Sequence, residues 1–181
     1  DRRYGNMSTA LATHHTQGWE LLARLALYGQ NGAANSDIAV FTGHMAELIQ
    51  QYLPCDWGVL LVMEQGSIAA QSAWGLNEDA VQTVWQMVQA DQGGNSAASA
   101  DNAAMVHQAE TSLGQALGLP LRTDSTQVGY LVLADDPAQN ATAPFYDALA
   151  AQLALVVQAQ FARRPPAQTQ RGTERDLLQC A

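Results

Sequence analysis

The sequence predicts an α+β fold in which the terminal helices pack together on one face of an antiparallel sheet. Three observations carry this. Residues 57–63 (WGVLLVM) and 127–134 (QVGYLVLA) are short, apolar and rich in strand formers. Turn-like links, not helical crossovers, join the strong strands, which makes them antiparallel. Helical spacings of three and four dominate before the first strand and after the last.

Residues 8–28 read as the first helix. Leu11, His15, Gly18, Leu22 and Leu25 recur at helical spacing, and Trp19, Leu21 and Tyr28 widen the stripe. Residues 29–35 (GQNGAAN) form a loop by their Gly and Asn content. Ser36 is the expected N-cap of a second helix, with Asp37 in its first turn and Ile38, Phe41, Met45, Leu48, Ile49 and Tyr52 on its apolar face. Pro54 stops it. Residues 57–63 are apolar on both alternating faces, as a central buried strand requires. Glu64, Gln65 and Gly66 turn the chain into a second strand at 67–74.

Asn77 is the expected cap of a third helix, with Val81, Val84 and Val88 on one face. Residues 91–101 (DQGGNSAASAD) lack periodicity and read as a long loop, a kind of segment that is often functional. A short strand is expected at 103–107 and a loop at 108–112. Residues 115–122 alternate around Leu117, Leu119 and Leu121, and Pro120 suggests an edge or a bulge. After a turn at 123–126 comes the strong strand 127–134 and then a loop at 135–142. Residues 143–163 form a long helix with Phe145, Leu149, Leu153, Val156 and Val157 on one face, ended by Arg164, Pro165 and Pro166. A cavity between the free sheet face and the middle helix with its loop is where a small ligand would sit.

The 181 residues suffice for one core. A hydrophobic fraction of 48% and a charged fraction of 14% exclude disorder. All eight basic residues are Arg, and they face 17 acidic ones for a net charge of −9. That balance excludes broad binding to a nucleic-acid backbone, which needs many cations to displace counterions. It leaves room for a small anion held by one Arg. The longest apolar run, 58–63, is too short to enter and cross a membrane. Cys55 and Cys180 make neither a disulfide framework nor a cysteine zinc site, so the thiols are expected reduced and the protein cytoplasmic. The chain starts at Asp1: either Met7 is the native start, or the chain is a piece of a longer protein.

Four segments bear a family likeness: the apolar strand 57–63 after an amphipathic helix, residues 73–76 (AWGL), residues 117–122 (LGLPLR), and residues 128–133 (VGYLVL) followed by a loop and the helix 145–161. In that order they resemble a GAF domain, the small-molecule sensor module of bacterial signalling proteins, over residues 20–162. The resemblance implies a six-stranded antiparallel sheet, terminal helices on one face and a ligand pocket on the other. It also implies a homodimer through the terminal helices and an attached output domain, such as that of a sensor histidine kinase in a two-component system. Residues 1–19 are then a helical extension and 163–181 a polar linker or tail.

The cyclic-nucleotide motif of that family pairs Asn with Lys and places Asp-Glu four residues after a Phe. Here Asn140 and Phe145 are present, but the chain has no Lys, and Leu149 and Ala150 stand where the acids should be. Cys55, at the mouth of the central strand, is in the wrong region for bilin attachment, and no spaced cysteines support sulfoxide reduction. A buried thiol is the simpler reading for Cys55. His14, His15 and His44 do not converge as a zinc site needs. His107, at the end of a pocket strand, is a candidate ligand residue and could serve haem iron alone; the competing reading is a hydrogen-bonded or surface histidine. Arg122 could hold a carboxylate or phosphate, or face water beside Asp124. Trp74 and Tyr130 suit a pocket wall, as do Trp57 and Trp85, though core packing serves them equally. Alternation along 127–134 sets Tyr130 opposite Gly129, Leu131 and Leu133, so Tyr130 faces the cavity if those three meet the helices. No GxSxG, P-loop or metal cluster is present, and no cofactor is implied. The expected function is non-enzymatic: a sensory domain that binds a small molecule. A ligand-free dimerisation module and a small redox enzyme are the alternatives.

Overall fold

The computed structural model of the chain describes residues 18–30, 37–53, 55–94, 107–111, 114–124, 126–134 and 143–163. The first helix, α1, covers residues 18–30. It is followed by α2 (Ile38–Tyr52), β1 (Gly58–Glu64), β2 (Ser67–Trp74), α3 (Glu78–Gly94), β3 (His107–Thr111), β4 (Gly114–Thr123), β5 (Thr126–Ala134) and α4 (Ala143–Arg163). The strands form one antiparallel sheet in the order β2-β1-β5-β4-β3. Five strands, not the six implied by the resemblance, are present among the described residues.

Local chemistry explains the elements. Asp37, not Ser36, caps α2: its Oδ1 accepts from the Ala39 N–H at 3.2 Å, while Ser36 lies outside the described residues. Asn77 caps α3, accepting from the Ala80 N–H at 2.9 Å, and Glu78 and Asp79 favour the positive end of the helix dipole. That helix runs on to Gly94, so the expected loop at 91–101 begins in helix. Gln and Ala are good helix formers and carry it past the last apolar position. Gln65 and Gly66 both take positive φ, the geometry of a two-residue hairpin turn. The ladder between β1 and β2 pairs Val62 with Ala70 and Met63 with Ile68, leaving Ala69 as a bulge in the edge strand.

The third strand lies later than its sequence suggests. Residues 108–111, expected as loop, pair with β4 from Gln108–Leu117 to Thr111–Gly114. An edge strand needs only its ladder, so HQAET forms without an apolar pattern. Among the described residues the β3 pairing reaches Gly118, and Pro120 pairs in register with Tyr130 of β5. Residues 103–106 lie outside the described residues.

The sheet divides two cores. On one face Leu60, Val62, Trp74, Leu117, Leu119, Leu121, Leu131 and Leu133 pack with Leu21 and Leu25 of α1, Phe41, Met45 and Ile49 of α2, and Phe145, Leu149, Leu153, Val156 and Val157 of α4. On the other face Val59, Leu61, Ala116, Tyr130 and Val132 pack with Trp57 and with Val84 and Val88 of α3. The helices from the two chain ends thus share one face, as their periodicity predicts.

The helices α1 and α4 run side by side in the same direction. Gly18 lies against Phe145 and Gly29 against Val156, and the Arg163 guanidinium donates to the carbonyls of Gly29 and Gln30. A cation there answers the unpaired carbonyls at the end of α1. Trp19 departs from expectation: it is 58% exposed rather than part of the buried stripe, and Leu27 and Leu155 are exposed to a similar degree. Among the described residues no helix is long and apolar enough to cross a membrane.

Candidate functional site

The face covered by α3 is built from β1, β4 and β5. Alternation along β5 sends Leu131 and Leu133 to the helices and Tyr130 and Val132 to this face. The ladder continues the row sideways: Val132 pairs with Val59 on one side and Gly118 on the other, and Gly118 pairs with His107. The next row joins Pro120, Tyr130, Leu61 and Gln71.

Tyr130 is 3% exposed, and its ring lies across Gly118, where a Cβ would come 3.0 Å from both Cε1 and the hydroxyl. Gly118 is therefore what lets the phenol lie flat across β4. No local sequence pattern signals this pairing, because the two residues meet only through the β4–β5 register. Trp57 is buried here, and Trp85 of α3 packs at the margin. Chemically this wall is aliphatic and aromatic, with polar atoms only at the tips of its aromatic side chains, Tyr130, Trp57 and Trp85.

The other candidates separate. Trp74 packs on the opposite face, among the terminal helices, so it does not share a wall with Tyr130. Its face is fixed by the pairing with Gly58, whose strand sends Leu60 and Val62 the same way. Arg122 is exposed, past the register shift at Leu121/Arg122. Arg24 pairs with Glu20 at 3.8 Å and Arg163 holds α1, whereas Arg122 makes no ion pair among the described residues. His107 holds a backbone position opposite Gly118. His44 is exposed on α2, and Phe145 is buried in the core against Gly18. His14, His15, Asn140 and Cys180 lie outside the described residues. Among the described residues no three His, Cys, Asp or Glu side chains converge as metal ligands.

Cys55 is half-buried between α2 and β1. Burial pushes its thiol pKa up; the Trp74 indole beside it pulls the other way, and the charge of Asp56 adds to the rise. The sequence does not reveal this thiol–indole proximity either, since the two stand 19 positions apart in the chain.

No protein-family model and no curated protein matches the sequence. Solved structures do match the fold. The crystal structure of the GAF domain from an Acinetobacter phosphoenolpyruvate-protein phosphotransferase superposes with a TM-score of 0.51 at 15% identity, covering 82% of this chain and 96% of that one. The GAF domain of a protein assigned as a sensor histidine kinase from Pseudomonas syringae pv. tomato gives 0.52 at 16% identity, covering 86% and 93%. This chain has the GAF fold. In the GAF arrangement described above, the face opposite the terminal helices is the one holding Tyr130, Gly118 and the β3 backbone at His107.

Proposed function

We propose that this chain is a non-enzymatic regulatory domain of a signal-transduction protein, of the kind attached to a sensor histidine kinase. It binds a small molecule between the sheet and α3, works in the cytoplasm, and passes binding on to an output domain through its terminal helices. The observation that carries this reading is the two-faced sheet. One face is bound tightly to α1, α2 and α4, and the other bears a smaller core under a single helix. The two solved GAF domains named above come from a phosphoenolpyruvate-protein phosphotransferase and from a protein assigned as a sensor histidine kinase, which supports the same role.

The wall favours an apolar or aromatic effector. His107 stands in the same ladder row as Val132, and Arg122 lies toward the other end of β4, where it would serve an anionic group. Dimerisation is part of the proposal. Two adjacent helices carry exposed Trp19, Leu27 and Leu155, large apolar side chains that a second copy would cover. Those same residues favour a second reading, a dimerisation module that binds no ligand.

Native mass spectrometry of the purified, untagged chain separates the two. A dimer carrying added mass that vanishes on denaturation supports the sensor and weighs its ligand. A dimer of bare chain that gains no mass from a small-molecule library favours the module. A bare monomer at micromolar concentration overturns the dimer in both readings.

A further inference from the structure

Cys55 and Trp74 meet at a point that the ligand wall does not use. Cys55 precedes β1 and Trp74 closes β2. The ladder sets Trp74 opposite Gly58, and the indole lies across the bare Cα of that glycine, with Cη2 at 2.5 Å from where a Cβ would stand. Trp74 is 8% exposed, and its Nε1 is fully buried with no hydrogen-bond partner of normal geometry. Cys55 packs against the same cluster, and the indole acts on its thiol. A thiol sulfur is a weak acceptor, so the donor is poorly answered. A buried donor in that state is costly and calls for a physical reason. An oxygen on the Cys55 sulfur would supply the missing acceptor.

We propose that Cys55 is a reversible oxidation site at which a hydroperoxide converts the thiol to a sulfenic acid held by a hydrogen bond from the Trp74 indole. The sulfur electron pair attacks one peroxide oxygen; the S–O bond forms and the O–O bond breaks. Sulfur gives up two electrons, and the departing oxygen takes the thiol proton and leaves as water (or as an alcohol from an organic peroxide). A thiol reductant reverses the change through a mixed disulfide. Burial keeps the thiol protonated, so oxidation is slow and dose-dependent. The site's contribution is retention of the product rather than speed. Trp74 belongs to the helix-side core, with Tyr52 and Leu53 at the end of α2 packed against the same cluster, so an added oxygen acts on the terminal helices. This input stands apart from the α3 wall, and it survives even if no effector binds there.

The test treats the full chain with graded hydrogen peroxide, traps sulfenic acid with a cyclic 1,3-diketone, and maps the peptides so that Cys55 is read separately from Cys180. The expected result is a trap adduct at Cys55 that a thiol reductant prevents. The indole N–H resonance of Trp74 in a 1H–15N spectrum should shift with oxidation, return on reduction, and stay fixed in Cys55→Ala. In Trp74→Phe the trappable state should decay roughly two- to tenfold faster, the scale of one hydrogen bond to a neutral acceptor. The proposal is overturned if Cys55 stays unmodified at a dose that oxidises the denatured chain. It is equally overturned if Cys55 is oxidised while the Trp74 resonance does not move. The spectrum decides alone should Trp74→Phe fail to fold.

Discussion

Three glycine-to-alanine changes separate backbone strain from side-chain collision in this chain. Gly43 sits inside α2 at ordinary helical φ with nothing within 4 Å of a would-be Cβ. Alanine there should stabilise by about 0.5–1 kcal/mol, because it lowers the entropy of the unfolded chain. Gly66 has φ +81° in the hairpin turn, again with open space around it. Alanine there carries the left-handed penalty alone, about 1–2 kcal/mol. Gly75 has φ +68° and meets the Asp56 carbonyl, with Asp56 C and Trp57 Cα at 3.0 Å. Those atoms are backbone, and Trp57 is buried, so no rotation relieves the overlap. Adding about 1–3 kcal/mol of overpacking to the left-handed penalty gives a loss of about 2–5 kcal/mol. Urea unfolding followed by circular dichroism reads all three as midpoint shifts at constant slope. Equal midpoints for Gly66→Ala and Gly75→Ala would refute the collision argument, and a destabilised Gly43→Ala would refute the helical one.

Other predictions address the joints around the two cores. Arg163→Ala removes the cation from the end of α1 and should cost about 0.5–2 kcal/mol, with faster amide exchange in residues 18–30 than in α2. Leu153→Ala empties a fully buried position in the helix-side core and should cost about 2–5 kcal/mol in the same urea assay. Asn77→Ala removes the cap of α3 and should cost about 1 kcal/mol, detected as increased exchange in the first turn of that helix. Burial raises the Cys55 thiol pKa, so the unfolded chain releases that proton at lower pH than the folded one. Stability should therefore fall as pH rises above the ordinary thiol range, and Cys55→Ala should remove that part of the decline.

The readily legible parts of the fold are those where one segment carries its own evidence. Strands β1 and β5 announce themselves as short apolar runs, and α4 shows five buried residues at helical spacing. Alternation along β5 separates Tyr130 from Gly129, Leu131 and Leu133, but both sets are apolar, so only the packing decides which of them meets the helices. The illegible parts depend on partners. HQAET becomes a strand through its ladder to β4, and nothing in its own side chains requires it. Trp74 cannot be assigned a face from β2 alone, because the Ala69 bulge interrupts the alternation and the strand is mostly small residues. The candidate site suffers the same way. Tyr130 on Gly118 and Cys55 beside Trp74 are both products of register, so no local pattern foretells them.

The two cores share their central strands. Val59 and Leu61 face α3 while Leu60 and Val62 face the helices, and β5 divides its side chains in the same alternating way. On the proposed function, displacing Tyr130 by a bound molecule would strain residues whose immediate neighbours, Gly129 and Leu131, lie on the helix side. Close packing makes such a seam shift between discrete arrangements rather than deform smoothly. The energy required is modest. A coupling of about 1–3 kcal/mol changes an effector's affinity between two states by roughly 5- to 150-fold. Emptying one buried leucine position costs a similar or larger amount. If an effector binds as proposed, a small repacking where β4 and β5 meet α4 would be of the size such a coupling needs. Because Arg163 and the two glycine contacts fasten α1 to α4, that pair would move as a unit relative to the sheet.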